Sequence, residues 1–147
     1  MNPIWNGIRR FGTLEGNQYF RNLKSGYDKI LQTMNVIELQ NGDGLAELTI
    51  SKDHVGRRNT AEGGFLTGLV DTFTSLAHLT HSNCCFQANV TADIHVSFVR
   101  DIPLGKVIQI EAKTVKCGQN LAFLECRITD KETGELCAKV RHTKYML

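Results

Sequence analysis

A chain of 147 residues with 41% hydrophobic and 22% charged residues has ordinary globular composition, enough for one core and short of what divides into two. The net charge is only +2, with basic residues spread among acids, which excludes a broad basic surface for nucleic acid and leaves a small anion site at most. No window approaches the ~20 apolar residues that a membrane-spanning helix requires.

Met1 to Phe11 sets Ile4, Trp5, Ile8 and Phe11 beside Arg9 and Arg10. An organelle-targeting segment and an ordinary frayed terminus both fit, so cytosol and mitochondrion stay open as locations. Phe20, Leu23, Tyr27, Ile30 and Leu31 recur at helical spacing and predict a helix over Gln18 to Gln32. Val36 to Leu39 reads as a strand. Asn41-Gly42-Asp43-Gly44 is hairpin-turn chemistry, and Leu45 to Ile50 alternates as the return strand. After a polar loop, Phe65, Leu66, Leu69, Val70, Phe73, Leu76 and Ala77 form one broad stripe and predict a long helix from Gly63 to about His81. Its other face carries Gly64, Thr67, Gly68, Asp71, Thr74, Ser75 and His78, which apart from the single Asp71 carboxylate are too small or uncharged for a solvated surface.

Four alternating runs follow. Val90, Ala92, Ile94, Val96 and Phe98 oppose Asn89, Thr91, Asp93, His95 and Ser97; Pro103-Leu104-Gly105 ends that strand. Val107 to Val115 and Leu121 to Thr129 are the next two, the latter with Ala122, Leu124, Cys126 and Ile128 on one face. Asp130 to Gly134 is a turn, and Glu135 to Tyr145 alternates Leu136, Ala138 and Val140 against Cys137, Lys139 and Arg141. The fold class is therefore α+β, a curved antiparallel sheet wrapped around one central helix. Residues 1–30 read as an N-terminal segment and helix, and 31–147 as the domain.

Asp71 is the one formal charge between Gly63 and Asn83, midway along a helix built for burial. It is either a buried acid satisfied by Thr67, Thr74 or Ser75, or a carboxylate at a cleft acting as general base or nucleophile. Gly63 and Gly64 present backbone N–H groups at the positive end of the helix dipole, where they can polarise a carbonyl or simply make the turn. Asn59 and Glu62 have the spacing of a capping box. His54, His78, His81, His95 and His142 lack a metal spacing, so no zinc and no other cofactor is expected. Cys84, Cys85, Cys117, Cys126 and Cys137, an odd number without paired spacing, read as reduced intracellular thiols.

The segment from Glu62-Gly63-Gly64 to Val70-Asp71 resembles the His-Gly-Gly to Val-Asp signature of hotdog thioesterases of the phenylacetate-pathway type. Gln119-Asn120-Leu121-Ala122-Phe123 and Val140-Arg141-His142-Thr143-Lys144 are similar to animal acyl-CoA thioesterases of that family. The resemblance runs from about Leu31 to the carboxyl end. It implies a hotdog fold, a homodimer doubling to a homotetramer, and an acyl-CoA substrate bound between subunits. It also implies that Asp71 activates water, that Gly63 N–H binds the thioester oxygen, and that Thr91 helps hold the water. Coenzyme A would then contact Gly64, Asp93, Phe98, Arg100, Lys116, Gly118, Gln119, Asn120 and Tyr145, with Arg100, Lys116 and Asn120 facing phosphate or adenine.

Two polar positions depart from that pattern. The family's His before the glycine pair is Glu62 here, and its upstream Asn aligns with Gly56, with Asn59 close by. A carboxylate at Glu62 opposes charge developing on the thioester oxygen unless it is turned away or protonated. A non-catalytic acyl-CoA binder therefore stays open beside the thioesterase. A dehydratase of the same fold needs a catalytic histidine, and His78 is the one candidate on the Asp71 face.

Overall fold

The computed structural model describes residues 12–83 and 87–147; the segment Met1 to Phe11 and the cysteines Cys84 and Cys85 lie outside them. The elements are α1 (Thr13–Arg21), a short 3-10 turn (Tyr27–Leu31), β1 (Asn35–Gln40), β2 (Asp43–Thr49), α2 (Gly63–Leu79), β3 (Asn89–Phe98), β4 (Val107–Cys117), β5 (Leu121–Asp130) and β6 (Leu136–Met146). The six strands form one antiparallel sheet in the order β1-β2-β4-β5-β6-β3.

The first predicted helix is in fact two pieces. Gly26 has φ +80°, outside the helical region, and separates α1 from the 3-10 turn. Phe20 and Leu31 are still buried, so the apolar spacing spans the break, whereas Tyr27 is 62% exposed. Helix α1 covers the outer edge of the sheet. The Asn17 side chain donates to Val36 O at 2.8 Å and accepts from Val36 N at 2.9 Å, and Leu39 N donates to Thr13 Oγ1 at 3.0 Å. Those bonds occupy backbone groups that an edge strand otherwise offers to another chain.

Between β1 and β2, Asn41 and Gly42 have φ of 48° and 88°, the two-residue turn that matches strand twist. Every residue of the predicted α2 stripe is buried, with Leu69, Val70, Phe73 and Ala77 fully so. They pack on the inner face of the sheet, where Ala46, Leu48, Ile108, Ile110, Ile128 and Val140 are each 1% exposed or less. A fully buried side chain of this size contributes about 1.5–3 kcal/mol, so this layer is the main source of stability.

Strand β3 departs from its sequence pattern. It pairs only with β6, and a bulge between Thr91 and Asp93 leaves Ala92 without a register partner. One extra residue reverses the facing of everything before it. Ile94 and Val96 pack against the core as expected, but Val90 is 48% exposed and Thr91 turns its hydroxyl toward α2. Among the cysteines, Cys126 and Cys137 are buried and free. Cys117 is disulfide-bonded, which corrects the reading of all five as reduced thiols.

Candidate active site

Asp71 lies on α2 with its side chain 48% exposed. The helix hydroxyls do not satisfy it. Thr67, Thr74 and Ser75 donate to the carbonyls of Gly63, Val70 and Asp71 at 2.8, 2.6 and 2.6 Å, so their protons serve the backbone. The carboxylate instead accepts from Thr91 Oγ1 at 3.0 Å, across from β3. This excludes the sealed structural acid: Asp71 is half open, held on one oxygen, and lines a groove of about 470 Å³ with Tyr19, Ser75, Asn89, Thr91 and Lys144.

Behind it runs a polar seam that the alternation did not reveal. The inward phase of β6 continues past Val140 to His142, Lys144 and Met146, which are 1%, 4% and 4% exposed. Counting two residues at a time past the last apolar position would have found them. His142 Nε2 is 2.9 Å from Thr91 Oγ1 and its Nδ1 is 2.7 Å from Thr74 Oγ1. Lys144 Nζ donates to Thr91 Oγ1 at 3.5 Å. His142 also lies 3.5 Å from Asp71 Oδ1. Burial, followed by the Lys144 charge, lowers His142 to about 4 against the opposing pull of Asp71, so at neutral pH this contact joins a neutral ring to a carboxylate. Burial likewise lowers Lys144, which Asp71 opposes.

His78, one turn beyond Thr74, is fully buried, and neither ring nitrogen has a hydrogen-bond partner among the described residues. Burial, then Lys144 and His81, lowers it to about 4. Both histidines fold neutral while the unfolded chain titrates near the ordinary value of about 6.5. The unfolded state therefore binds more protons between those values, and stability present above about pH 6.5 is lost as pH falls toward about 4, by up to about 3 kcal/mol for each ring. Replacing His78 by Leu removes two orphaned polar atoms at similar volume. The variant is expected to melt higher at pH 7 and to lose less stability between pH 6.5 and 4. Thermal melts across that range check it, and an unchanged slope refutes the assignment.

At the other end of α2, Gly63 and Gly64 are the first two helical residues, whose N–H groups have no carbonyl four residues earlier to bind. The Phe98 ring covers Gly63: a Cβ added there would lie 3.1 Å from Phe98 Cζ. Glu62 occupies the position just before the helix and makes no capping bond. The predicted capping box is thus absent, because Asn59 sits at φ +54° in a turn, its N–H donating to Gly56 O at 3.0 Å. Glu62 extends over Gly56 instead, where an added Cβ would collide with its Oε1.

The remaining predicted contacts are distributed along the sheet. The bulge puts Asp93 beside Phe123, Glu125 and Arg141 in an outer groove of about 380 Å³, away from Thr91. Arg100 donates to Glu135 at 2.6 Å, so a phosphate arriving there competes with a carboxylate. Lys116 lies in the last pairs of β4, opposite Phe123, and Gly118, Gln119 and Asn120 form the β4–β5 turn; Gly118 N donates to Leu121 O at 2.8 Å, and Met146 N donates to Asn120 O at 2.8 Å beside Tyr145. Among the described residues no group of three or more His, Cys, Asp or Glu is placed to hold a metal.

A curved antiparallel sheet around one helix is the hotdog fold, and the half-open carboxylate on that helix and the glycine amides at its start form the candidate site within it. The chain belongs to the thioesterase superfamily, whose family model matches residues 59–137, and it is a thioester hydrolase. Human acyl-coenzyme A thioesterase 13 is 28% identical over 82% of this chain and 84% of that protein. The crystal structure of zebrafish thioesterase superfamily member 2 is 28% identical, with a TM-score of 0.87 over 92% of this chain and 98% of that one. Member 2 from Mus musculus follows at 26% identity and TM-score 0.82, covering 90% and 96%.

Proposed function

We propose that this chain hydrolyses medium- and long-chain fatty acyl-CoA to free fatty acid and coenzyme A, with Asp71 as general base. The observation that carries the reading is the Asp71 carboxylate, half exposed at a groove with one oxygen held by Thr91. It takes a proton from the water that attacks the thioester carbonyl; the Gly63 amide stabilises the resulting oxyanion; as that oxyanion collapses the C–S bond breaks, the protonated Asp71 returns its proton to the departing sulfur, and coenzyme A leaves as the thiol. The similarity to proteins named acyl-coenzyme A thioesterase supports the substrate class.

Chain geometry argues that two copies make one site. Asp71 follows Gly63 on α2 by about 12 Å of helix rise, too far for both to act on one carbonyl. Thr91 and Phe98 are likewise about 23 Å apart along β3. β3 is a sheet edge, and an antiparallel copy across it brings the glycine end of one chain toward the carboxylate of the other. Exposed Val115, Leu121, Phe123 and Tyr145 on the outer face support doubling to a homotetramer. Coenzyme A would lie along Phe98 to Pro103, the β4–β5 turn and Tyr145, with no metal or cofactor, in the cytosol or the mitochondrion.

An acyl-CoA panel from short to long chains, followed by free thiol release, tests the reaction. Binding without turnover at every length replaces it with the non-catalytic binder. Assembly has its own test: His95→Glu with Ser97→Glu sets like charges against each other in a symmetric β3 seam. The variant is expected to sediment as monomer and lose turnover together, and an active monomer would refute the shared site.

A further inference from the structure

We propose that Lys144 is a positioning residue of this site: its buried ammonium, paired with Thr91 across the β3–β6 ladder, commits the Thr91 hydroxyl proton to Asp71 Oδ1 and leaves Oδ2 for the attacking water. The inference rests on the reading of Asp71 as base and adds the device that aims it.

A lysine is rarely buried without a charged partner, yet Lys144 is 4% exposed and its nearest hydrogen-bonding contact is the Thr91 hydroxyl at 3.5 Å. The β3 bulge makes that contact: Thr91 and Lys144 are register partners, and both turn toward α2. Lys144 also lines the groove that Asp71 opens onto. It packs toward Asp71 and His78 of α2, Thr91 of β3 and His142 of β6, with Tyr19 of α1 on the groove wall. Asp71 is the anion in that set, and both rings are neutral at pH 7.

Proton counting gives the ammonium its role. A threonine hydroxyl has one proton and two lone pairs. Thr91 Oγ1 faces Asp71 Oδ1 at 3.0 Å, His142 Nε2 at 2.9 Å and Lys144 Nζ at 3.5 Å. A carboxylate can only accept and an ammonium can only donate, while a neutral imidazole nitrogen does either. With Lys144 charged, its proton takes one lone pair, and the field from ammonium to carboxylate turns the O–H dipole toward Asp71. The Thr74 proton serves Val70 O, so His142 donates from Nδ1 to Thr74 Oγ1, and its Nε2 is an acceptor that competes with Asp71 Oδ1 for the Thr91 proton. Without the cation, the Thr91 proton is free to turn to His142 Nε2, and Asp71 loses the bond that orients it.

The test uses the full chain and decanoyl-CoA, with spontaneous hydrolysis subtracted, over pH 6 to 10. Lys144→Met keeps the packing of the stem and removes the charge. It is expected to lower kcat by about 10- to 100-fold, the scale of a misaligned catalytic group, with KM changed less than about twofold. Wild type is expected to lose activity on the alkaline side below the ordinary lysine value of about 10.4 as the cation deprotonates. Lys144→Met lacks that limb, and Lys144→Arg, which stays charged, moves it upward. In a Thr91→Ala background the Lys144→Met loss should vanish, because the ammonium acts through the hydroxyl. Should the Met variant not fold, Lys144→Gln carries the same comparison. A Lys144→Met kcat within about twofold of wild type, an unchanged pH profile, or full additivity with Thr91→Ala overturns the proposal while leaving Asp71 as base. Absence of wild-type turnover on every acyl-CoA overturns both.

Discussion

Asp71→Ala is expected to lower kcat by about 10²- to 10⁴-fold, the range over which a positioned general base contributes. Folding should survive, because the side chain is 48% exposed; what the variant loses is the Thr91 hydrogen bond, the 3.5 Å contact with His142 and the anion facing Lys144. Asp71→Asn separates shape from basicity. The amide oxygen still accepts from Thr91 and the side chain keeps its size, but it cannot take a proton from water. Both variants should fall together in turnover and still bind acyl-CoA within a few-fold, measured by free thiol release and by calorimetry. Turnover within about tenfold of wild type in either variant would remove Asp71 from the mechanism.

Glu62→His should raise kcat/KM, by up to about 10²-fold, since losing one oxyanion donor costs roughly 10²–10³. A carboxylate ahead of Gly63 opposes charge on the thioester oxygen; an imidazole can donate to it. The structure adds a steric condition. Glu62 lies over Gly56, and a Cβ at Gly56 would collide with Oε1, so in this chain the glycine leaves the room that the Glu62 side chain occupies. Gly56→Asn alone should displace the Glu62 carboxylate with little effect on stability, because the colliding atom ends an exposed, flexible side chain. Combined with Glu62→His it should add to the gain. Kinetics of the two single variants and the double variant check this; no gain in either background would mean that Glu62 is not standing in for a catalytic histidine.

The apolar pattern by itself determined which face of each long element is buried. The α2 stripe from Phe65 to Ala77 and the alternation in β4 and β5 reappear residue by residue in the core, because burial of one face is what period 3.6 and period 2 encode. Asn41-Gly42 likewise set a turn by local backbone preference alone. Asp71 stood out for the same reason, as a single charge in a helix patterned for burial. Local pattern reaches no further than its own segment. The spacing that joined α1 to the 3-10 turn ran straight across Gly26, and the alternation of β3 could not register a bulge, which exists only relative to β6. Thr91 was placed on the polar face with Asp93, and His142 and Lys144 fell outside an inward face counted by its apolar residues. Only the tertiary structure, by slipping one residue between paired strands, turned Thr91 toward the helix and set a buried ammonium and a neutral imidazole behind the acid. The physical reason is that a polar side chain faces inward where long-range partners satisfy it, and those partners come from other elements of the chain.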